Sequence, residues 1–294
     1  MKKNNSSIKK NSMSIKTLNR ITNTAIYVFL IVISVIWLLP FIGIVFESFR
    51  VESTGQVSYF IPKQFGFDNY IRLFKSSFPQ WFMNTILMGV SVSVLQTFFI
   101  LSMSYTLSRL RFTGRKALMN FMLILGMFPG FLSMILIYKV FADFGLTMEM
   151  APVGLIIVYC ASSGMGYYIS KGFFDTIPKS LDEAARVDGA TRWQVFYKVI
   201  MPLSKPIIIY TILMGFMAPW GDYMMARFLI NNNEKGMNVA VGMYKWLNGS
   251  GDNLYQNYTM FCAAGVCVAV PVTIVFMSLQ KYYVEGVTGG AVKG

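Results

Sequence analysis

Histidine is absent from the 294-residue chain. That excludes His-based catalytic triads, imidazole proton relays and histidine-ligated metals. Cysteine is nearly as scarce: Cys160, Cys262 and Cys267 each sit inside an apolar run. Cys262 and Cys267 are spaced too widely for a zinc knuckle, and one thiol is left over. All three are expected to be small buried hydrophobes, and no metal site is expected. No GxxxxGK[ST] run occurs, so the chain has no P-loop with which to hydrolyse ATP. Charge is thin as well, at 13% of residues against the usual quarter or so. A catalytic cluster of paired intramembrane carboxylates is missing too, so an integral-membrane enzyme is not expected.

What is present is apolar and basic together. Apolar residues make up 55% of the chain and aromatics 16%, with a mean hydropathy of +0.52. Yet 26 Lys and Arg stand against 13 Asp and Glu, a net charge of +13. A nucleic-acid binder would explain the charge but not the hydropathy. A polytopic membrane protein explains both, because Lys and Arg collect in cytoplasmic loops.

About 20 helical residues cross the hydrocarbon of a bilayer. Stretches free of ionisable side chains predict spans at Ala25 to Phe46 and Thr85 to Leu107. Further spans lie between Lys116 and Lys139, between Glu149 and Lys171, from Lys205 to about Ile230, and from Thr259 to Leu279. The expected fold is an all-α polytopic membrane protein with six transmembrane helices. With the N-terminus inside, 18 Lys and Arg fall on the inner side and six on the outer. Both termini are therefore expected in the cytoplasm. The basic leader resembles the start of a signal peptide, but its apolar run is too long and lacks a small-x-small cleavage site. It reads as a retained helix.

This divides the chain into a basic tail (1–20), a first span with an external segment (21–78), a transmembrane domain (79–280) and a tail (281–294). Within the third part, residues 173–206 form a cytoplasmic loop long for a helix connection. Ser180 with Glu183 predicts a capping box opening a short helix, and Gly189 is placed to end it in the left-handed conformation. Thr191 with Gln194 predicts a second box, and Pro202 limits the second helix. Each helix is too short to stand alone. Trp193, Phe196, Val199 and Ile200 are expected to anchor the second to the bundle, leaving the first for a partner.

The run Glu183-Ala184-Ala185, then Gly189, Val199 and Pro202 resembles the EAA loop of ABC importer permeases. Val199 and Met201 stand where that family usually has Ile and Leu. Asp188 before Gly189, and Pro202-Leu203-Ser204-Lys205-Pro206 after it, resemble the carbohydrate-importer branch. The tail from Gln280 to Gly294 resembles the C-terminus of maltose-type permeases. The resemblance covers nearly the whole chain and implies a type I importer permease core.

The resemblance implies a mechanism without covalent chemistry in this chain. Glu183, Ala184, Ala185, Asp188, Gly189 and Pro202 would belong to the loop that docks a cytoplasmic ATPase subunit. Thr288, Gly289 and Gly290 would form a second ATPase contact. Two ATPase subunits would bind ATP and Mg, leaving this chain without a cofactor. A second homologous permease would complete a heterodimer, and an extracytoplasmic binding protein would deliver the sugar. The expected location is a bacterial cell membrane, with no nucleic-acid partner. An oligosaccharide of maltodextrin or galacto-oligosaccharide type is the first expectation. A peptide or amino-acid permease shares the same core, whereas a channel or secondary transporter has no need of the two-helix loop.

Inside the bilayer, Trp220, Asp222 and Tyr223 follow Pro219, combining a helix breaker with aromatics and a carboxylate. They are expected either to line the solute path or, for Asp222, to cap a helix near the outer interface. Trp246 and Asn248, in the last external segment, are candidates for contact with the binding protein.

Overall fold

The computed structural model describes residues 15–52, 59–127, 130–248 and 252–291. Among these, regular structure is helical throughout, and Arg50 with Phe65 forms a lone β-bridge. The helices, in chain order, begin with α1 (Ile15–Ser48), α2 (Asp68–Lys75), α3 (Phe78–Arg109), α4 (Arg115–Gly126) and α5 (Gly130–Asp143). They continue with α6 (Ala151–Ala161), α7 (Gly164–Thr176), α8 (Lys179–Val187), α9 (Arg192–Gln194) and α10 (Met201–Leu203). The last four are α11 (Lys205–Gly221), α12 (Met224–Ile230), α13 (Val239–Leu247) and α14 (Asp252–Ala291).

Among the described residues, three helices are long and apolar enough to cross a membrane unaided: Asn19–Ser48, Phe78–Arg109 and Asn257–Gln280. Two sharply bent pairs, Leu132–Asp143 with Met148–Ala161 and Arg192–Leu203 with Lys205–Gly221, raise the number to five if each is one span. Six crossings are consistent with this layout, but the spans expected third, fourth and fifth are interrupted. The third divides between α4 and α5, and the fourth breaks between α6 and α7 at Ser162–Ser163. The fifth breaks at Asp222–Tyr223. A charge-free stretch reports the length available in hydrocarbon and says nothing of whether the helix inside it is continuous. Pro129 lies outside the described residues.

The helix directions follow from contacts along α3. Gln96 Nε2 donates to the Tyr159 carbonyl at 3.0 Å and to Ser163 Oγ at 2.9 Å. Further along, Ser104 Oγ donates to the Tyr167 carbonyl and Ser108 Oγ to Asp175. Numbers rise together, so α6 and α7 run alongside α3 in the same direction. Against α11 they run opposite: Gly89 meets Phe216, and Gly215 meets Ser93.

Small residues make that α3–α11 contact possible, as in helix packing within lipid, where backbone proximity replaces the hydrophobic drive. A Cβ built on Gly215 would lie 2.9 Å from Ser93 Cα, a backbone atom that cannot rotate away. Gly215→Val is therefore expected to lower stability by roughly 1–3 kcal/mol through overpacking. A thermal melt of the purified chain, followed by fluorescence-detected size exclusion, reads this directly. An unchanged midpoint would mean that the two helices do not meet here.

Among the described residues, apolar side chains gather in two clusters. The larger joins Trp81, Met88, Leu155, Phe216, Trp220 and Leu229, among others. The smaller, at the other end of α3, holds Leu101, Tyr105, Phe174, Ile177, Val195, Phe196, Ile200 and Ile207. By contrast, α1 is apolar and exposed all round from Asn19 to Ile42. A helix greasy on every face needs lipid or another protein around it. Among the described residues, its C-terminal turns are the part partly buried against the chain, chiefly along α14.

One end of the bundle is tied by polar groups from distant segments. Asn84 Nδ2 donates to the carbonyls of Lys235 and Met237 at 2.7 and 2.9 Å. Lys235 pairs with Glu149 at 3.2 Å, and Lys245 pairs with Glu234. Arg50, fully buried, pairs with Glu47 and donates to the Tyr59 carbonyl. These are the segments expected outside. The opposite end carries 109–115 and 177–204, the segments expected inside.

Candidate coupling segment and transmembrane polar site

The segment after α7 is built from a sequence of local signals. Ile177 is extended (φ −76°, ψ 125°), the conformation a residue before proline prefers. Pro178 then caps α8 with φ −56°, already near helical. The expected capping box at Ser180 and Glu183 does not form, because the helix starts two residues earlier than that pattern requires. Ser180 lies within the first turn, and Glu183 is exposed.

The C-terminus of α8 follows expectation in detail. Gly189 takes φ +83°. Its N–H donates to the Arg186 carbonyl at 3.1 Å, and the Ala190 N–H donates to the Ala185 carbonyl at 3.0 Å. These two bonds are the Schellman pattern, which satisfies carbonyls left open at a helix end. Ala185 and Ala190 both pack against the smaller cluster, supplying the apolar contact that accompanies it.

Thr191 opens the next helix with the expected capping box. Its N–H donates to Gln194 Oε1 at 2.7 Å, and its Oγ1 accepts from the Gln194 N–H at 3.3 Å. The rod then passes through a π-turn at Val195–Ile200, with the Met201 N–H donating to the Phe196 carbonyl. It ends one residue past Pro202, at Leu203, and Ser204 Oγ bonds back to the Ile200 carbonyl. Phe196 and Ile200 are buried as expected, Val199 is half-buried, and Val195 joins them. Trp193 is not an anchor: it is 63% exposed, with only its ring near Phe196. The cause is geometric, since the π-turn sets the inward face on Val195, Phe196 and Ile200, and Trp193 falls outside it.

Of the residues expected to dock, Glu183, Ala184, Asp188 and Gly189 are exposed together, Pro202 is exposed on the next helix, and Ala185 turns inward. Sequence reasoning missed what holds them. Arg109, the last residue of α3, is 3% exposed at its side chain. Its Nη2 donates to the carbonyls of Phe174 and Ile177 at 3.0 and 2.8 Å. Its Nε lies 3.3 Å from Asp182 Oδ2. One guanidinium thus brackets the end of α3, the end of α7 and the middle of α8. Burial pushes the Asp182 carboxyl up, against the opposing pull of Arg109. In the sequence Arg109 counted only as an inside charge, and the 73 positions to Asp182 left no local pattern.

At the other end of α11, Asp222 is extended (φ −79°, ψ 106°) and breaks the helix. Its Oδ1 accepts from the Met225 N–H at 3.1 Å and its Oδ2 from the Tyr159 hydroxyl at 2.6 Å. Asn238 Nδ2 meets the Pro219 and Asp222 carbonyls at 3.0 and 2.8 Å, closing the break. Asp222 thus has both carboxylate oxygens engaged, one of them on the next helix, which is the capping alternative. Trp220 is buried in the larger cluster between Phe82 and Phe216. Tyr223 does reach one: it packs on Tyr244 at 4.1 Å and lines a 210 Å³ hollow with Arg227, Lys245 and Asn248. Trp246 stands apart from it, its ring against Phe78 and Trp81. Nothing in the sequence flagged Tyr159 or Asn238, whose partners lie on other elements.

The backbone of α14 runs through Thr288, Gly289 and Gly290, whose side chains lie outside the described residues. Cys160 and Cys262 are buried and Cys267 half-buried, all free. Among the described residues no cluster of His, Cys, Asp and Glu could hold a metal.

Comparison with known proteins bears on the whole chain. The family described as "Binding-protein-dependent transport system inner membrane component" matches residues 100–289. The maltodextrin transport system permease protein MdxG of Bacillus subtilis (strain 168) is 32% identical over 285 residues, covering 97% of this chain and 100% of the relative. The galactooligosaccharides transport system permease protein GanQ of the same organism is 31% identical, covering 91% and 94%. Among solved structures, a bacterial ABC transporter involved in the import of the acidic polysaccharide alginate matches with a TM-score of 0.78. Identity to it is 26%, covering 92% of this chain and 99% of that one. An all-helical, multi-pass bundle carrying the EAA-type loop and this likeness over nearly its full length belongs to the binding-protein-dependent ABC importer permeases, transporter membrane subunits rather than enzymes.

Proposed function

We propose that the chain is the permease subunit of an ATP-driven importer of an oligosaccharide of the maltodextrin or galacto-oligosaccharide type. The full-length likeness to permeases named for those sugars supports the substrate class. The mechanism rests on one observation above others: a short exposed helix, α8, fixed at its C-terminus by Gly189 and braced to α3 through Arg109 and Asp182. Such a helix is a rigid handle. Pushed from the cytoplasm, it moves the ends of α3 and α7 with it, because one side chain holds all three.

In this reading α8 seats in a cytoplasmic ATPase subunit through Glu183, Ala184, Asp188 and Gly189, with Ala185 supporting it from within and the exposed Pro202 flanking it at the end of the next helix. Two ATPase subunits hold ATP and Mg, and this chain supplies no cofactor site. The C-terminal residues Thr288, Gly289 and Gly290 form a second contact with them. A homologous permease completes the membrane heterodimer, and the broad exposed face of α1 suits it or lipid. The polar-tied end, with 231–248, faces outward toward the sugar-loaded binding protein, and both termini are cytoplasmic. Closure of the ATPase pair then rocks the bundle between inward- and outward-open forms. Tyr223, with its hollow beside Tyr244, touches sugar on the path, its ring face suited to sugar C–H surfaces. Trp220 and Asp222 hold the broken helix that positions it.

Co-purification with the ATPase subunits and binding protein, followed by ATP hydrolysis measured against added solutes, tests the function. Hydrolysis stimulated several-fold by malto- or galacto-oligosaccharides is the expected result. Stimulation by peptides or amino acids alone would overturn the sugar assignment and leave the permease assignment standing.

A further inference from the structure

A crevice of about 460 Å³ lies between α8 and the end of α3. Its walls carry Arg109, Arg111, Arg115, Lys179, Arg186 and Arg192. Only two carboxylates oppose the six cations, Asp182 and Glu183; Asp182 faces Arg109 through Oδ2, and its Oδ1 has no hydrogen-bond partner. Arg109 is 3% exposed at its side chain, yet its Nη1 has no hydrogen-bond partner. A buried guanidinium N–H without an acceptor is costly, so the crevice is built for an anion it does not itself contain.

The shape of the adjoining space selects among anions. A second, apolar hollow of about 200 Å³ opens from the same place, sharing Tyr105, Leu110 and Arg192 with the crevice. Ser102 and Thr106 line it along α3. Ser102 is seven residues from Arg109, about 10 Å up the helix toward the membrane-spanning part. Trp193 and Phe196 form its other side, and the exposed Trp193 is the kind of ring that sits at headgroup level. Free phosphate or an acidic peptide would leave this slot empty. A lipid fills both spaces.

We propose that the crevice binds the phosphate of an anionic phospholipid, such as phosphatidylglycerol, from the leaflet at this end, with acyl chain in the apolar slot. Basic pockets between helices at a membrane surface are a recognised setting for such headgroups. The bound lipid would give Arg109 its missing acceptor and sit directly behind α8. The site rests on the chain's embedding in a bilayer and not on the identity of the transported solute, so lipid binding and sugar transport fail separately.

Native mass spectrometry of the full chain in detergent, with phosphatidylglycerol, phosphatidylcholine or inorganic phosphate added, tests this. Phosphatidylglycerol should remain bound and phosphatidylcholine should not. Arg111→Gln with Arg192→Gln should weaken phosphatidylglycerol roughly thirtyfold, at about a fivefold loss per cation. Lysine at the same two positions should preserve binding. Thr106→Phe, which fills the slot and leaves every charge in place, should also expel the lipid, and it covers the case in which the glutamine pair fails to fold. Equal retention of the two lipids, or retention unchanged in both sets of variants, would overturn the proposal. Displacement of phosphatidylglycerol by millimolar phosphate would overturn it in favour of a free anion.

Discussion

Gly189→Val leaves the bundle assembled but separates ATP hydrolysis from transport. An added Cβ at Gly189 meets nothing within 4 Å, so the substitution creates no clash. Its whole effect acts through the backbone, which sits at φ +83°. For a side-chain-bearing residue that conformation costs about 1–2 kcal/mol, and β-branching makes it worse. The chain escapes by abandoning the left-handed turn. It then loses the Gly189 bond to Arg186 and the Ala190 bond to Ala185. With nine residues, α8 cannot hold its shape without that end. In proteoliposomes carrying the partner subunits, sugar uptake should fall at least tenfold, while basal ATP hydrolysis stays within about twofold. Gly189→Asn, which tolerates the left-handed region, should lie near the wild type. Undiminished, sugar-stimulated uptake in the valine variant would remove α8 from the coupling path.

Arg109→Met is expected to be the most destabilising single change in the segment. It leaves Asp182 without its partner and strips the Phe174 and Ile177 carbonyls of their donors. Removing one member of a buried pair costs about 3–5 kcal/mol. Asp182→Asn should cost far less, because Arg109 keeps both carbonyls and loses only the charge attraction of one neighbour. Arg109→Met combined with Asp182→Leu should recover part of the loss by removing the stranded carboxylate. It should not recover all of it, because the carbonyls remain unserved. Thermal melts of the three purified variants give this order. Equal losses for Arg109→Met and Asp182→Asn would mean the bracket is an ion pair alone, not a three-way brace.

Much of this was legible in the sequence wherever the cause was local. Charge-free stretches marked the three continuous apolar helices, since desolvation of a charge does not depend on what the helix packs against. Gly189 and the Thr191–Gln194 box could be read because both are satisfied within a few residues. The same reasoning failed at Ser180, where Pro178 offered an earlier start that a motif search for Ser and Glu does not weigh. It failed again at Trp193, because a helical face computed at 3.6 residues per turn is displaced by a π-turn. The break between α6 and α7 was invisible in hydropathy, whereas Pro219 and Asp222 signalled the one in the fifth span. Arg109 with Asp182, Tyr159 with Asp222, and Asn238 with Pro219 are tertiary pairings, and no spacing rule connects them. The segment around α8 was thus largely readable, and the brace between Arg109 and Asp182 was not.

The central claim is that the exposed face of α8 sits against an ATPase and moves with it. A cysteine-free chain, with Cys160, Cys262 and Cys267 replaced by serine, can carry one cysteine at Ala184 or, as the outer control, at Lys235. Each is labelled with a benzophenone photo-cross-linker in the assembled complex and illuminated with and without ATP. The account predicts ATPase adducts from position 184 only, with a yield that changes on adding ATP. Adducts to the ATPase from position 235, or none from position 184 in a complex that still transports, would contradict it.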